Sequence, residues 1–104
     1  KTVYFQLAST KIMLFGPDEF GVKLIGSDPQ RTNVVITNDS VSGTHARIER
    51  KEDDPDNVFV SDVGSSNGTY HQGLDIRGRG EIRVTHNDRL QLGLAAGLLV
   101  LEDN

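Results

Sequence analysis

The chain has no cysteine, only three prolines, six aromatic residues among 104, and fewer positive than negative charges. Without cysteine, neither a disulfide framework nor thiol chemistry is available, and the composition fits a reducing compartment. No apolar run approaches the roughly 18 residues needed to cross a bilayer. No signal peptide is visible either, so no membrane is expected among the partners. Eleven Lys and Arg against fifteen Asp and Glu give a net charge of −4, a field that disfavours a general nucleic-acid surface. Tyr4, Tyr70 and the four phenylalanines lie mostly in apolar runs, which leaves few rings for base stacking. The one basic cluster, Arg77-Gly78-Arg79-Gly80 with Arg83, is therefore read as a solvated turn, and no direct nucleic-acid contact is expected.

Other chemistries lack their signatures. No Gly-Lys-Ser/Thr nucleotide loop occurs. His45, His71 and His86 fall on separate elements without metal-ligand spacing, and Asp53-Asp54-Pro55-Asp56 lacks the glycine and distal glutamate of a calcium loop. No cofactor and no metal are expected. Ser42, His45 and Asp62 include the side-chain types of a hydrolase triad, but neither a nucleophile elbow nor an oxyanion motif accompanies them. The reading is of a binding module, not an enzyme. Two glycosylation-type triplets, Asn38-Asp39-Ser40 and Asn67-Gly68-Thr69, are attributed to chance.

What is present is an ordinary globular composition, 36% hydrophobic and 25% charged, in a chain long enough for one core. Residues 1–104 are read as one domain, and the start at Lys1 suggests a domain excised from a longer protein. Short apolar or alternating runs recur at Thr2–Leu7, Lys11–Phe15, Val22–Ile25, Asn33–Ile36, His45–Arg50, Val58–Asp62, Thr69–Tyr70, Glu81–Val84, Arg89–Leu92 and Leu98–Glu102. Turn formers separate them, including His71-Gln72-Gly73 and Ala95-Ala96-Gly97. No window keeps a helical period, so the spacing predicts an all-β sandwich or barrel. The period of two points Val34, Ile36, Ala46, Ile48, Leu90 and Leu92 inward. Leu98–Leu101, apolar on both sides, reads as a central or covered strand, and the charged runs near Asp53–Asp56 and Arg77–Arg83 as edges.

Two loops stand out. "SVSGTH" (40–45) and "VGSSNGT" (63–69) are both rich in small hydroxyl residues and turn formers. Function in a sandwich usually sits on such loops, and consecutive turn amides with hydroxyls beside them can cradle an anion.

Gly26, then Ser42-x-x-His45, then Asp62-x-Gly64-Ser65-Ser66-Asn67-Gly68-Thr69 resembles the forkhead-associated (FHA) family, and "VTHNDRLQLG" (84–93) looks like its closing strand. The resemblance spans essentially the whole chain. It implies a β-sandwich of two twisted, mostly antiparallel sheets with functional loops at one end, and a phosphothreonine-containing protein or peptide as partner. By similarity, Ser42 and Ser66 would give hydroxyls to the phosphate, Gly43 and Thr44 would line the loop, and Asn67 would bond the peptide main chain. Gly26, His45 and Gly68 would support the site, with Gly68 supplying the positive φ of an Asn-Gly hairpin turn. The threonine methyl would fill a small apolar notch, and Ser40, Asp39 or Arg31 would read neighbouring peptide positions.

One departure matters. The family places arginine directly after the glycine, where this chain has Ser27, and serine has neither the charge nor the fork of a guanidinium. Ser27 stays a candidate contact, Arg31 could swing in as a substitute, and Lys23 is a poorer one because it lies within a strand. Alternatively, the chain is a degenerate member that binds proteins or dimerises without phosphate, through a sheet face near Leu98–Leu101. Kinship suggests an intracellular, nuclear location and signalling in the DNA-damage response.

Overall fold

Eleven strands and no helix form along the chain in the computed structural model, which describes all 104 residues. They are β1 (Thr2–Leu7), β2 (Thr10–Phe15), β3 (Gly21–Gly26), β4 (Val34–Val35), β5 (Ala46–Lys51), β6 (Asp54–Asp62), β7 (Thr69–His71), β8 (Leu74–Asp75), β9 (Ile82–Val84), β10 (Arg89–Leu92) and β11 (Ala95–Glu102). One sheet runs β2-β1-β11-β10-β7-β8, the other β4-β3-β5-β6-β9. Only the short β3–β4 pair is parallel. The sandwich expected from the sequence is therefore present, with its two sheets facing each other across a single core.

Alternation builds that core. Ala46, Ile48, Val58, Val60, Leu90, Leu92 and Leu99 are all buried, with Phe5 and Phe15 as the large aromatic members. Val34 and Ile36 join them, so each inward pair read from the period of two is inside. Arg50, in phase with Ala46 and Ile48, is also buried.

Two expectations need correction. The acidic run 53–56 is not an edge: Asp54–Asp56 open β6, which lies between β5 and β9. Its charges stay wet because β9 pairs only with Val58–Val60 and leaves the start of β6 projecting. The region after Arg77 does end in an edge strand, β9. Gln72-Gly73 make a turn as expected, with φ of 52° and 81°, and it folds the short β8 back onto β7, the geometry of a type I′ hairpin. Ala95-Ala96-Gly97 is not a turn but the start of β11. A Cβ at Gly97 would lie 2.3 Å from the carbonyl oxygen of Gln6 on β1, so this smallness serves close strand approach. The strand β11 is central, as expected, and its outward side carries the exposed Leu98 while Leu99 is fully buried.

Candidate functional site

Four segments converge at the end of the sandwich where β3 stops and β5 begins. They are the loops 27–33, 36–45 and 63–68 and the turn at Gly93-Leu94. The β3 side is zipped to the second loop by backbone bonds. The Ser27 amide donates to the Ser42 carbonyl (3.0 Å), the Asp28 amide to the Gly43 carbonyl (3.2 Å) and the His45 amide to the Ile25 carbonyl (2.9 Å). Gly26 permits this approach, since a Cβ there would lie 2.2 Å from the Gly43 carbonyl oxygen. That backbone could yield only by moving the loop, which gives Gly26 its supporting role.

His45 ties the second loop to the third. Its ring is fully buried. Nδ1 accepts from the Ser42 amide at 3.0 Å, so the proton must sit on Nε2, which donates to the Gly68 carbonyl at 2.8 Å. One neutral tautomer satisfies both bonds. Two further bonds close the clamp: the Ser66 amide donates to Ser42 Oγ at 3.0 Å, and Asn67 Nδ2 donates to the Ser40 carbonyl at 2.9 Å. Ser42 lies in the loop ahead of β5. Its oxygen is used as an acceptor, so its own proton is left to donate outward.

Around this clamp lies a set of donors with no protein acceptor. The half-buried amides of Gly43 and Thr44 donate to nothing, and neither do the hydroxyls of Ser42, Thr44 and Ser66. Adjacent amides left free beside three hydroxyls are a set of donors that suits an anion. Ser42, Gly43, Thr44, Ser66 and Asn67 are therefore brought together as the sequence suggested.

Other candidates take different places. Ser27 Oγ donates to the Val41 carbonyl at 2.8 Å, so its proton is engaged in bracing the loop and is not available to a phosphate in this arrangement. Ser40 is braced as well: Oγ donates to Asn38 Oδ1 (2.6 Å) and accepts from the Leu94 amide (2.7 Å). Gly93 makes room for that contact, because a Cβ there would lie 2.3 Å from the Ser40 carbonyl oxygen. Lys23 is ion-paired to Glu19 at 2.9 Å. Arg31 Nε donates to Asp28 Oδ2 at 2.7 Å, with the guanidinium otherwise exposed. Gly68 has the expected positive φ, 91°. Asn67 does not share it, and the turn carries the chain from β6 in one sheet to β7 in the other, so this is not a type I′ hairpin.

Asp62, part of the family-like pattern and one of the triad side-chain types, organises the third loop from beneath. Its carboxylate accepts from the Gly64 amide (2.8 Å), the Ser65 amide (3.0 Å), the Thr69 hydroxyl (2.7 Å) and the Ser65 hydroxyl. Ser65 Oγ in turn accepts from the Gly68 amide at 3.1 Å. The Asp-x-Gly-Ser spelling was the available signal, since aspartate caps its own turn two residues on. No relay is assembled: His45 meets the Ser42 amide rather than its hydroxyl, and Asp62 bonds neither.

Burial works against the Asp62 carboxylate, but the hydrogen bonds from Ser65, Thr69 and Gly64 outweigh it and hold the carboxyl below its ordinary range. A folded pKa below the unfolded value means stabilisation that is present above about pH 4 and lost as pH falls through the folded value. Asp62→Asn should therefore lose less stability than the wild type between neutral pH and about pH 2.5 in denaturant titrations. Equal losses in the two proteins would contradict this account of the loop.

Two mostly antiparallel sheets packed face to face, with their loops gathered at one end, define the class of this chain as a loop-bearing β-sandwich. The chain belongs to the FHA family: the FHA domain model matches residues 23–93. The structure is similar to the FHA domain of the CT664 protein from Chlamydia trachomatis, with a TM-score of 0.82 and 26% identity over 99% of this chain and 100% of that one. It is also similar to the MEK1 FHA domain in complex with a phosphothreonine peptide of HOP1 (TM-score 0.75, 21% identity, 97% of each chain). A third is Mycobacterium tuberculosis EmbR in complex with a low-affinity phosphopeptide (TM-score 0.78, 19% identity, 99% of this chain and 25% of that one). No curated protein sequence matches the chain. With bacterial proteins among these, family membership alone assigns no nuclear pathway.

Proposed function

We propose that this domain binds phosphothreonine peptides and so recruits phosphorylated partner proteins. The observation that carries the proposal is the pair of unpartnered amides at Gly43 and Thr44, flanked by the free hydroxyl protons of Ser42 and Ser66. A phosphothreonine brings close to two negative charges and three acceptor oxygens near neutral pH, which matches this group of free donors. Asn67, fixed by one amide proton to Ser40, keeps its carbonyl and its second proton for the main chain of an extended peptide. The MEK1 domain, seen with a phosphothreonine peptide, supports the reading by kinship of fold. The exposed Asp39 carboxylate would disfavour acidic side chains beside the phosphate.

The test is a titration against a phosphothreonine peptide library and its unphosphorylated counterpart, at low and moderate salt. Binding should require the phosphate and weaken with salt. Ser42→Ala should reduce it about 10-fold or more, since the substitution removes a hydroxyl donor to a charged acceptor and the oxygen that anchors the Ser66 amide. Equal affinity for both libraries would instead favour a phosphate-independent interaction module, the reading that the serine at position 27 invites.

A further inference from the structure

We infer that Arg31, held by Asp28 and laid over Gly43, delivers to the phosphate the guanidinium that is missing at position 27. The inference rests on the phosphopeptide reading above. A guanidinium carries five N–H donors in one plane. Here only Nε is engaged, with Asp28 Oδ2 at 2.7 Å, and neither Nη group donates to any protein acceptor.

The free end is aimed rather than loose. A Cβ built on Gly43 would lie 2.3 Å from Arg31 Nη2, so the guanidinium occupies the very space that residue 43 leaves empty. Gly43 is also one of the residues whose amide has no partner. Two sets of unused donors thus meet at one residue, next to Ser42. An ion pair on the surface contributes little by itself, and a solvated arginine needs no such seat.

Local chain geometry brings residue 31 back over the loop that Ser27 braces. The Arg31 amide donates to the Asp28 carbonyl (3.2 Å), the Gln30 amide to Asp28 Oδ1 (2.9 Å) and the Thr32 hydroxyl to the Asp28 carbonyl (2.7 Å). The chain therefore doubles back within a single turn. The Asp28 amide fastens that turn to the Gly43 carbonyl at 3.2 Å, which places the returning arginine beside the candidate anion-binding donors. The Gln30 amide and then the Arg31 guanidinium hold the Asp28 carboxyl below its ordinary range, so the brace stays charged at neutral pH.

The test measures affinity for phosphothreonine library peptides, with the salt dependence, in the wild type, in four single variants and in two double variants. Arg31→Ala should weaken binding about 10- to 100-fold, the loss of one charge-assisted contact, and should flatten the salt dependence. Arg31→Lys should recover part of the loss as a point charge without the fork. Adding Ser27→Arg to Arg31→Ala should restore most of the affinity by returning the guanidinium to the family's position. Gly43→Ala should keep the folding midpoint, because only the far end of a flexible side chain must move, yet weaken binding, and that loss should vanish when Arg31 is already alanine. Arg31→Ala within about 2-fold of wild type, while Ser42→Ala still loses binding, would overturn this inference and leave the phosphopeptide reading standing. A Gly43→Ala loss that persists in full without Arg31 would overturn the seating. A wild type indifferent to phosphate would bring down both.

Discussion

Replacing Arg50 by methionine should lower unfolding stability by about 3–5 kcal/mol, because several buried carbonyl acceptors lose their donor at once. Arg50 is the bulkiest fully buried side chain, at 2% exposure, and it has no carboxylate partner. Its guanidinium is caged by carbonyl dipoles instead: Pro55 (2.8 Å), Gly16 (2.8 Å), Lys1 (3.0 Å), Glu19 (3.3 Å) and Pro17 (3.4 Å). The Phe20 ring lies over it, 5.0 Å from Cζ. Methionine fills similar space but gives these carbonyls no donor, and each buried acceptor left unmet costs about 1–3 kcal/mol. Burying the arginine already carries a desolvation penalty, which is why the expected loss stays below the sum of its bonds.

The effect on folding would be large, since a domain of this size has on the order of 5–15 kcal/mol in hand. A drop of 3–5 kcal/mol corresponds to roughly 15–30 °C in the thermal midpoint. Arg50→Lys should recover only part, because one ammonium cannot span three chain segments. Arg50 stands near the end of β5 remote from Ser42, so the folded fraction of the variant should bind phosphopeptide with unchanged affinity. Urea unfolding of both variants, with peptide titration in the cold, decides the matter. A methionine variant within about 1 kcal/mol of wild type would mean that water takes over the cage.

The sandwich was legible because alternation and turn chemistry agree along most of the chain. Thr2–Leu7 and Arg89–Leu92 have the same bounds in the sequence reading and in the structure. Errors arose where one residue type serves two ends. Small residues at 95–97 look like a turn but relieve a close pass of β1 over Gly97. Acidic residues at 53–56 look like an edge but project past the end of β9. Arg50 was written in the same register as Ala46 and Ile48, but a charged residue is not assigned to the core on type alone. At the candidate site, the motifs picked out loops that the fold brings together, since Ser42, His45, Asn67 and Gly68 carry their own spacing. What each hydroxyl does was beyond reach. Whether Ser27 or Ser40 faces a ligand or a neighbouring loop depends on gaps of less than 3 Å between segments distant in sequence. Arg31 could be named, but its seat depends on the empty side of Gly43.

His45→Ala should both destabilise the domain and weaken phosphopeptide binding, although this ring faces the interior. The substitution empties a fully buried site and orphans two backbone groups, the Ser42 amide and the Gly68 carbonyl. A cavity plus two unmet partners amounts to about 3–5 kcal/mol. Unlike the Arg50 change, the loss falls on the clamp itself. Without Nδ1 to hold it, the Ser42 amide is released, and the Gly43 and Thr44 amides that follow lose their fixed aim. Affinity should therefore fall about 10-fold even at temperatures where the variant is folded, as happens when a preorganised donor set must be ordered by its ligand. His45→Asn offers an acceptor near Nδ1 and should recover part of the binding. His45→Gln offers a donor near Nε2 and should recover mainly stability, through Gly68. The pairing of peptide affinity with unfolding free energy separates this role from that of an ordinary buried histidine. A histidine variant that loses stability but binds the phosphopeptide as tightly as the wild type would show that the clamp does not set the site's geometry.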